Sequence, residues 1–188
     1  MEPKFQKIIS KYDYADQLAP GGFVIGGKPA LTKIDGDLVG DYVIMTVRDP
    51  LLDYGGDPAE LLSRRLENRV LAGQSGMFTT YSGYYKDAHI SIVSGGSGSP
   101  EAELILVEFM QNSKATFLRL GGGMAISEKL HSGDVVIASG VVRDEGMTKA
   151  YVTPNYPAVC SYELVTSFVK AAEDLKYRYR VGVGRSQD

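Results

Sequence analysis

The chain has 188 residues, 44% of them hydrophobic, a formal net charge of −3, one cysteine and two histidines. That length suits one domain with a real core, and the charge gives no electrostatic footprint for nucleic acid. The lone Cys160 excludes an internal disulfide, and no Cys/His spacing of metal-binding type occurs.

A reducing cytoplasm is the expected compartment. Residues 1–10 are charged and mixed, without the apolar run of a signal peptide, and no stretch approaches a membrane span. The expected organisation is a single domain over 1–188, with an irregular segment at 1–40 and an α/β core at 41–188. Pro20-Gly21-Gly22 and Gly26-Gly27-Lys28-Pro29 mark turns in the first segment. Residues 41–47 (DYVIMTV) read as a buried strand, and 48–56 as a loop. Asp57-Pro58 opens a helix predicted to run to about residue 71, with Leu61, Leu62, Leu66 and Val70 as its apolar face.

Residues 77–85 and 88–94 read as two strands around the Lys86-Asp87 turn. Gly95-Gly96-Ser97-Gly98 follows, then a helix starting at Ser99-Pro100-Glu101 and ending near residue 112. Strands are predicted at 115–120 (ATFLRL) and 134–142, a helix capped by Ser161 to about residue 175, and a last strand at 177–183. Strands alternating with helices point to an α/β layered fold with a central mixed, partly parallel sheet flanked by helices.

Three strand ends or loops carry glycine pairs or runs: Gly55-Gly56, 95–98 and 121–123. In such sheets ligands bind beyond the carboxyl ends of the strands, where glycine lets backbone N–H groups approach an anion. The plain alternative is that these glycines only make tight turns. No P-loop, complete GxGxxG or GxSxG is present. His89 falls in an alternating strand pattern and His131 in a turn, which suits structural roles. Arg119 interrupts an apolar strand just before a glycine loop, so its guanidinium is placed to grip an anion at two points or to pair with a buried carboxylate.

The order of these motifs resembles the nucleoside phosphorylases, on their uridine phosphorylase branch. Gly56-Asp57-Pro58 resembles the family's phosphate loop, Phe78-Thr79-Thr80-Tyr81 the strand that follows, and Gly96-Ser97-Gly98-Ser99-Pro100 its Gly-x-Gly-x-Pro turn. Residues 116–121 (TFLRLG) resemble the strand with the phosphate arginine, and Ser132-Gly133-Asp134-Val135-Val136 a Gly-Asp-Val strand. Val181-Gly182-Val183 resembles the strand before the base-binding segment, and 23–29 (FVIGGKP) an N-terminal stretch.

The resemblance implies a three-layer fold and phosphorolysis of a pyrimidine nucleoside to free base and ribose 1-phosphate. Inorganic phosphate is then a co-substrate and no cofactor is needed. It implies phosphate contacts at Gly56, Arg119 and Gly122, with Gly96 and Phe78 on the substrate side. It also implies a homo-oligomer, dimer or hexamer, or assembly with a full-length homologue, with no nucleic-acid or membrane partner. The residues depart from the family at four places: Glu60, Gly76, Gly122 and Val24 stand where it has an arginine, a lent arginine, a threonine and a histidine. The family's base- and ribose-binding segments are expected beyond Asp188, so the fold is expected to lack the C-terminal part. These departures leave a second expectation open: a catalytically impaired homologue acting as a partner or regulatory subunit, or as a weak nucleoside or anion binder.

Overall fold

The computed structural model describes residues 23–48 and 55–187. The turn signal at Pro20-Gly21-Gly22 and most of the expected loop at 48–56 lie outside those residues. The chain divides into two compact units, Met1–Gly121 and Gly122–Asp188, and each is described by itself.

The first unit begins, within the described residues, with a small hairpin of β1 (Val24–Ile25) and β2 (Lys28–Pro29). It was expected to be irregular. Two-residue strands leave no readable alternation, but Gly26 and Gly27 take φ of 64° and 79°, the left-handed pair that a tight hairpin turn requires. A five-stranded mixed sheet follows, ordered β4-β5-β6-β3-β7. β3 (Tyr42–Thr46) lies between β6 (Ala88–Ser94) and β7 (Thr116–Leu120) and is parallel to both. β4 (Glu67–Gln74) and β5 (Thr79–Tyr85) extend the sheet in antiparallel fashion.

The helix predicted to residue 71 is corrected by this arrangement. α1 spans only Pro58–Ser63, and Leu66 and Val70 belong to the turn and strand beyond it. Asn68 adopts a φ of 51° at the start of β4, outside the helical region. Pairing with β5 satisfies the β4 backbone and overrides a local spacing that fits a helix equally well.

Strand alternation sends Val43, Met45 and Val93 to one face. There they form a core with Ile34, Phe78, Ile105 and Phe109, the last pair from α2 (Gly98–Asn112). Phe117 of β7 meets Phe109 edge to face at 6.4 Å. Thr46 and Ser94 fall on the opposite face, where α1 packs against β5 and β6. The result is three layers, helix on sheet on helix.

The second unit holds β8 (Val135–Asp144) and β9 (Tyr179–Gln187), a parallel pair joined through α3 (Tyr162–Asp174). Parallel neighbours need such a crossover, and α3 packs on both strands. Among the described residues no helix is long and apolar enough to cross a membrane, and no group of His, Cys, Asp and Glu could hold a metal ion.

Candidate functional site

The parallel register aligns three strand ends. Thr46 of β3 stands opposite Ser94 of β6 on one side and Leu120 of β7 on the other. The segments that leave these ends therefore emerge together: Val47-Arg48, the glycine loop 95–98, and Gly121.

Asp57 is the node on the α1 side. As the helix cap, its Oδ1 accepts from the backbone N–H groups of Ala59 (2.9 Å) and Glu60 (3.1 Å). Its Oδ2 accepts from Arg48 Nη2 at 2.5 Å and from Ser94 Oγ at 2.6 Å. Arg48 Nη2 also donates to Ser94 Oγ at 3.0 Å and, more loosely, to Thr79 Oγ1 at 3.4 Å. Ser94 thus donates to the carboxylate and accepts from the guanidinium, which a hydroxyl can do at once. Desolvation pushes the Asp57 pKa up, but the hydrogen bonds from Ser94, Arg48 and the Glu60 amide, with the Arg48 charge, outweigh it and hold the group below its ordinary value.

The glycine loop is tied to two strands. Ser97 Oγ donates to the Arg48 carbonyl at 2.5 Å, while Arg119 Nη2 donates to the Gly96 carbonyl at 3.0 Å. Arg119 Nη1 donates to Leu120 O at 3.2 Å. Partial burial pushes the Arg119 pKa down, from a level so high that it stays charged at neutral pH. Of its two expected roles, pairing with a buried carboxylate is not what the structure shows; its described partners are two carbonyls.

The remaining residues singled out from sequence are placed as follows. Gly56 precedes the Asp57 cap, with a φ of 154° and surface exposure. Gly96 is buried and left-handed, with a φ of 74°. Phe78 is fully buried in the core, and its ring edge lies against Gly95. Gly122 opens the second unit in an exposed, irregular segment. Glu60 pairs with Arg64 at 3.0 Å, an i,i+4 contact at the surface. Gly76 is in an exposed turn, and Val24 is on the exposed β1.

Gly56, Gly96 and Arg119 thus belong to the same unit as the Arg48–Asp57 pair, and Arg119 touches Gly96 directly. Sequence reasoning places Asp57 as a cap within the phosphate-loop motif and Ser97 within the glycine turn, but it gives neither a partner and does not single out Ser94. The available signal was position: Ser94 is the last residue of an apolar strand, aligned with the end of β3.

Residues 52–185 match the sequence profile of the Phosphorylase superfamily. The chain is 38% identical to a uridine phosphorylase of Thermococcus kodakarensis over 111 residues, covering 59% of this chain and 40% of that protein. It is 32% identical to a guanosine phosphorylase of Halorubrum lacusprofundi over 135 residues, covering 71% and 56%. The fold is similar to the crystal structure of uridine phosphorylase from Vibrio fischeri, with a TM-score of 0.77 at 29% identity, covering 88% of this chain and 66% of that one. The chain spans about half the length of the curated relatives it matches.

Proposed function

Because the chain belongs to the nucleoside phosphorylase family and is uridine phosphorylase-like at modest identity, we propose that it takes part in phosphorolysis of a nucleoside. In that reaction a phosphate oxygen forms a bond to the ribose C1′ as the C1′–N bond to the base breaks. The base leaves with the bonding electron pair and takes up a proton. The products are ribose 1-phosphate and free base. Inorganic phosphate is the co-substrate, and no cofactor enters the scheme.

The observation that carries this reading is the contact between Arg119 and Gly96 at 3.0 Å, where strands β3, β6 and β7 end in register. An anionic nucleophile must be held below a sugar that becomes cationic. That is a task of orientation and electrostatics, with no covalent nucleophile on the protein. A fixed guanidinium beside a glycine loop supplies both. We place phosphate at this strand-end cleft, with Arg119 and the amides near Gly56 and Gly96 as its ligands.

Two ion pairs favour a second reading, a homologue that binds phosphate or nucleoside without turning it over. Arg48 is matched by Asp57 and Arg64 by Glu60, which lowers the net positive charge available to a dianion. Each charge-assisted contact to phosphate contributes about 1.5–3 kcal/mol, so a contact weakened by such pairing slows turnover.

Purified protein incubated with uridine or guanosine, with and without phosphate, separates the readings. Phosphate-dependent release of base, sharply reduced in Arg119→Ala, supports phosphorolysis. Phosphate binding by calorimetry without release of base from either nucleoside supports the second reading.

A further inference from the structure

We infer that Arg48 is a phosphate-binding residue of the strand-end cleft, with Asp57 as the positioning residue that aims it. The assignment rests on the phosphorolysis reading for the identity of its ligand.

Arg48 follows β3 by two residues and leaves the sheet where β6 and β7 also end. All its side-chain hydrogen bonds to described residues use one atom, Nη2, which meets Asp57, Ser94 and Thr79. Nη1 and Nε make no hydrogen bond to a described residue, and the contacts at Nη2 set the orientation of the guanidinium. The side chain keeps 40% of its surface exposed, against 19% for Asp57. An arginine serving only to neutralise a half-buried carboxylate has no need of that exposure.

The main chain of Arg48 points the same way. Its carbonyl accepts from Ser97 Oγ at 2.5 Å, which fastens the glycine loop to the base of the Arg48 side chain. Arg119 holds the same loop one residue earlier, through Gly96. Two guanidinium groups, from neighbouring parallel strands, therefore flank a single glycine loop.

Glu60 is matched by Arg64, and Glu101 accepts from the Ser97 amide at 3.0 Å, so the carboxylate that faces Arg48 is that of Asp57. The carboxylate is also stabilised by Ser94 and two backbone amides, so it does not depend on Arg48 alone, and the guanidinium can share itself with an anion.

The test is titration calorimetry of the full chain with inorganic phosphate, using wild type, Arg48→Gln, Arg48→Ala and Arg119→Ala, with melting curves for each. Gln keeps an amide donor for Asp57 and Ser94 but removes the charge, so it reports on the ligand even where Ala fails to fold. The expected result is a folded Arg48→Gln protein with phosphate affinity about tenfold to a hundredfold weaker. A selective rise in KM for phosphate, with KM for the nucleoside little changed, is the kinetic counterpart.

A folded Arg48→Gln protein that binds phosphate as tightly as wild type overturns the assignment but leaves phosphorolysis standing. Wild type that binds phosphate through Arg48 yet releases no base ends the phosphorolysis reading and leaves the assignment. Wild type that binds no phosphate overturns both.

Discussion

Arg119 and Gly96 are joined at 3.0 Å across the ends of β7 and β6, guanidinium to carbonyl. A charge that could have been matched by a carboxylate is instead fixed by backbone dipoles, so it is oriented without being cancelled. Arg119→Ala is expected to weaken phosphate binding and base release by about 1.5–3 kcal/mol. The residue is exposed and outside the core cluster, so stability should fall by no more than about 1 kcal/mol. Arg119→Lys keeps the charge but cannot reach Gly96 and Leu120 together, and should recover only part of the loss. Steady-state kinetics over a phosphate series, beside denaturant titrations, checks all three expectations.

Asp57 gives a prediction whose sign follows from its partners. Burial raises its pKa, but Ser94, Arg48 and the Glu60 amide bring the net value below the ordinary 3.8. A depressed folded pKa means the carboxylate stabilises the fold fully above its unfolded pKa. That stabilisation disappears as pH falls through the lower folded value. Asp57→Asn keeps a good helix cap but loses the ion pair. Because Arg48 is 40% exposed, solvent screening limits the expected loss to about 1–2 kcal/mol at neutral pH. The gap between wild type and variant, read from urea melts, should hold from pH 7 to 5 and close below pH of about 4. A gap that widens in acid contradicts this account.

Gly95 is required on two independent grounds. Its φ is 138°, and a Cβ there would lie 2.4 Å from Phe78 Cδ1 and 2.7 Å from Cε1. Phe78 is fully buried and has no room to retreat. Gly95→Ala should cost about 2–5 kcal/mol, combining backbone strain with overpacking. Phe78→Leu combined with Gly95→Ala removes the clash but not the strain, and should recover part of that loss. Thermal melts of the two singles and the double form the cycle that separates the two causes.

Much of this architecture was readable from the chain, for physical reasons that vary by element. The strand β3 is a continuous apolar run, β6 alternates, and an arginine inside an otherwise apolar strand, as at Arg119, is conspicuous. The helix α2 has a proline and a glutamate near its start and a long apolar pattern. By contrast, Leu61, Leu62, Leu66 and Val70 share a spacing that suits a helix, and only pairing of β4 with β5 decides against it. The Asp57 node was hidden for a different reason. Its partners Arg48 and Ser94 lie 9 and 37 residues away in sequence, and only the parallel register brings them together. Phe78, expected on the substrate side, is a ring packed wholly within the core.

Glu108 offers the sharpest test of how the first unit is held together. It lies on α2, is 6% exposed, and accepts from Leu31 N at 2.9 Å, Thr32 N at 2.6 Å and Thr32 Oγ1 at 2.6 Å. Thr32 is itself fully buried, and Ile34 two residues on joins the core. One carboxylate thus fastens the segment after the β1–β2 hairpin to the helix that covers the sheet. Glu108→Ala strands two amides and a hydroxyl without acceptors. Each unsatisfied buried group costs about 1–3 kcal/mol, and water entering the gap will recover part of it, so about 3–4 kcal/mol is expected. Glu108→Gln keeps one acceptor oxygen but brings an NH2 against the donors, and should lose about half as much. Hydrogen exchange at Leu31 and Thr32 gives the local readout. Both amides should lose protection in Glu108→Ala, while those in the centre of β3 keep theirs until the whole unit unfolds. Unchanged protection at Thr32 would mean that the segment is held by its apolar contacts at Ile34 alone.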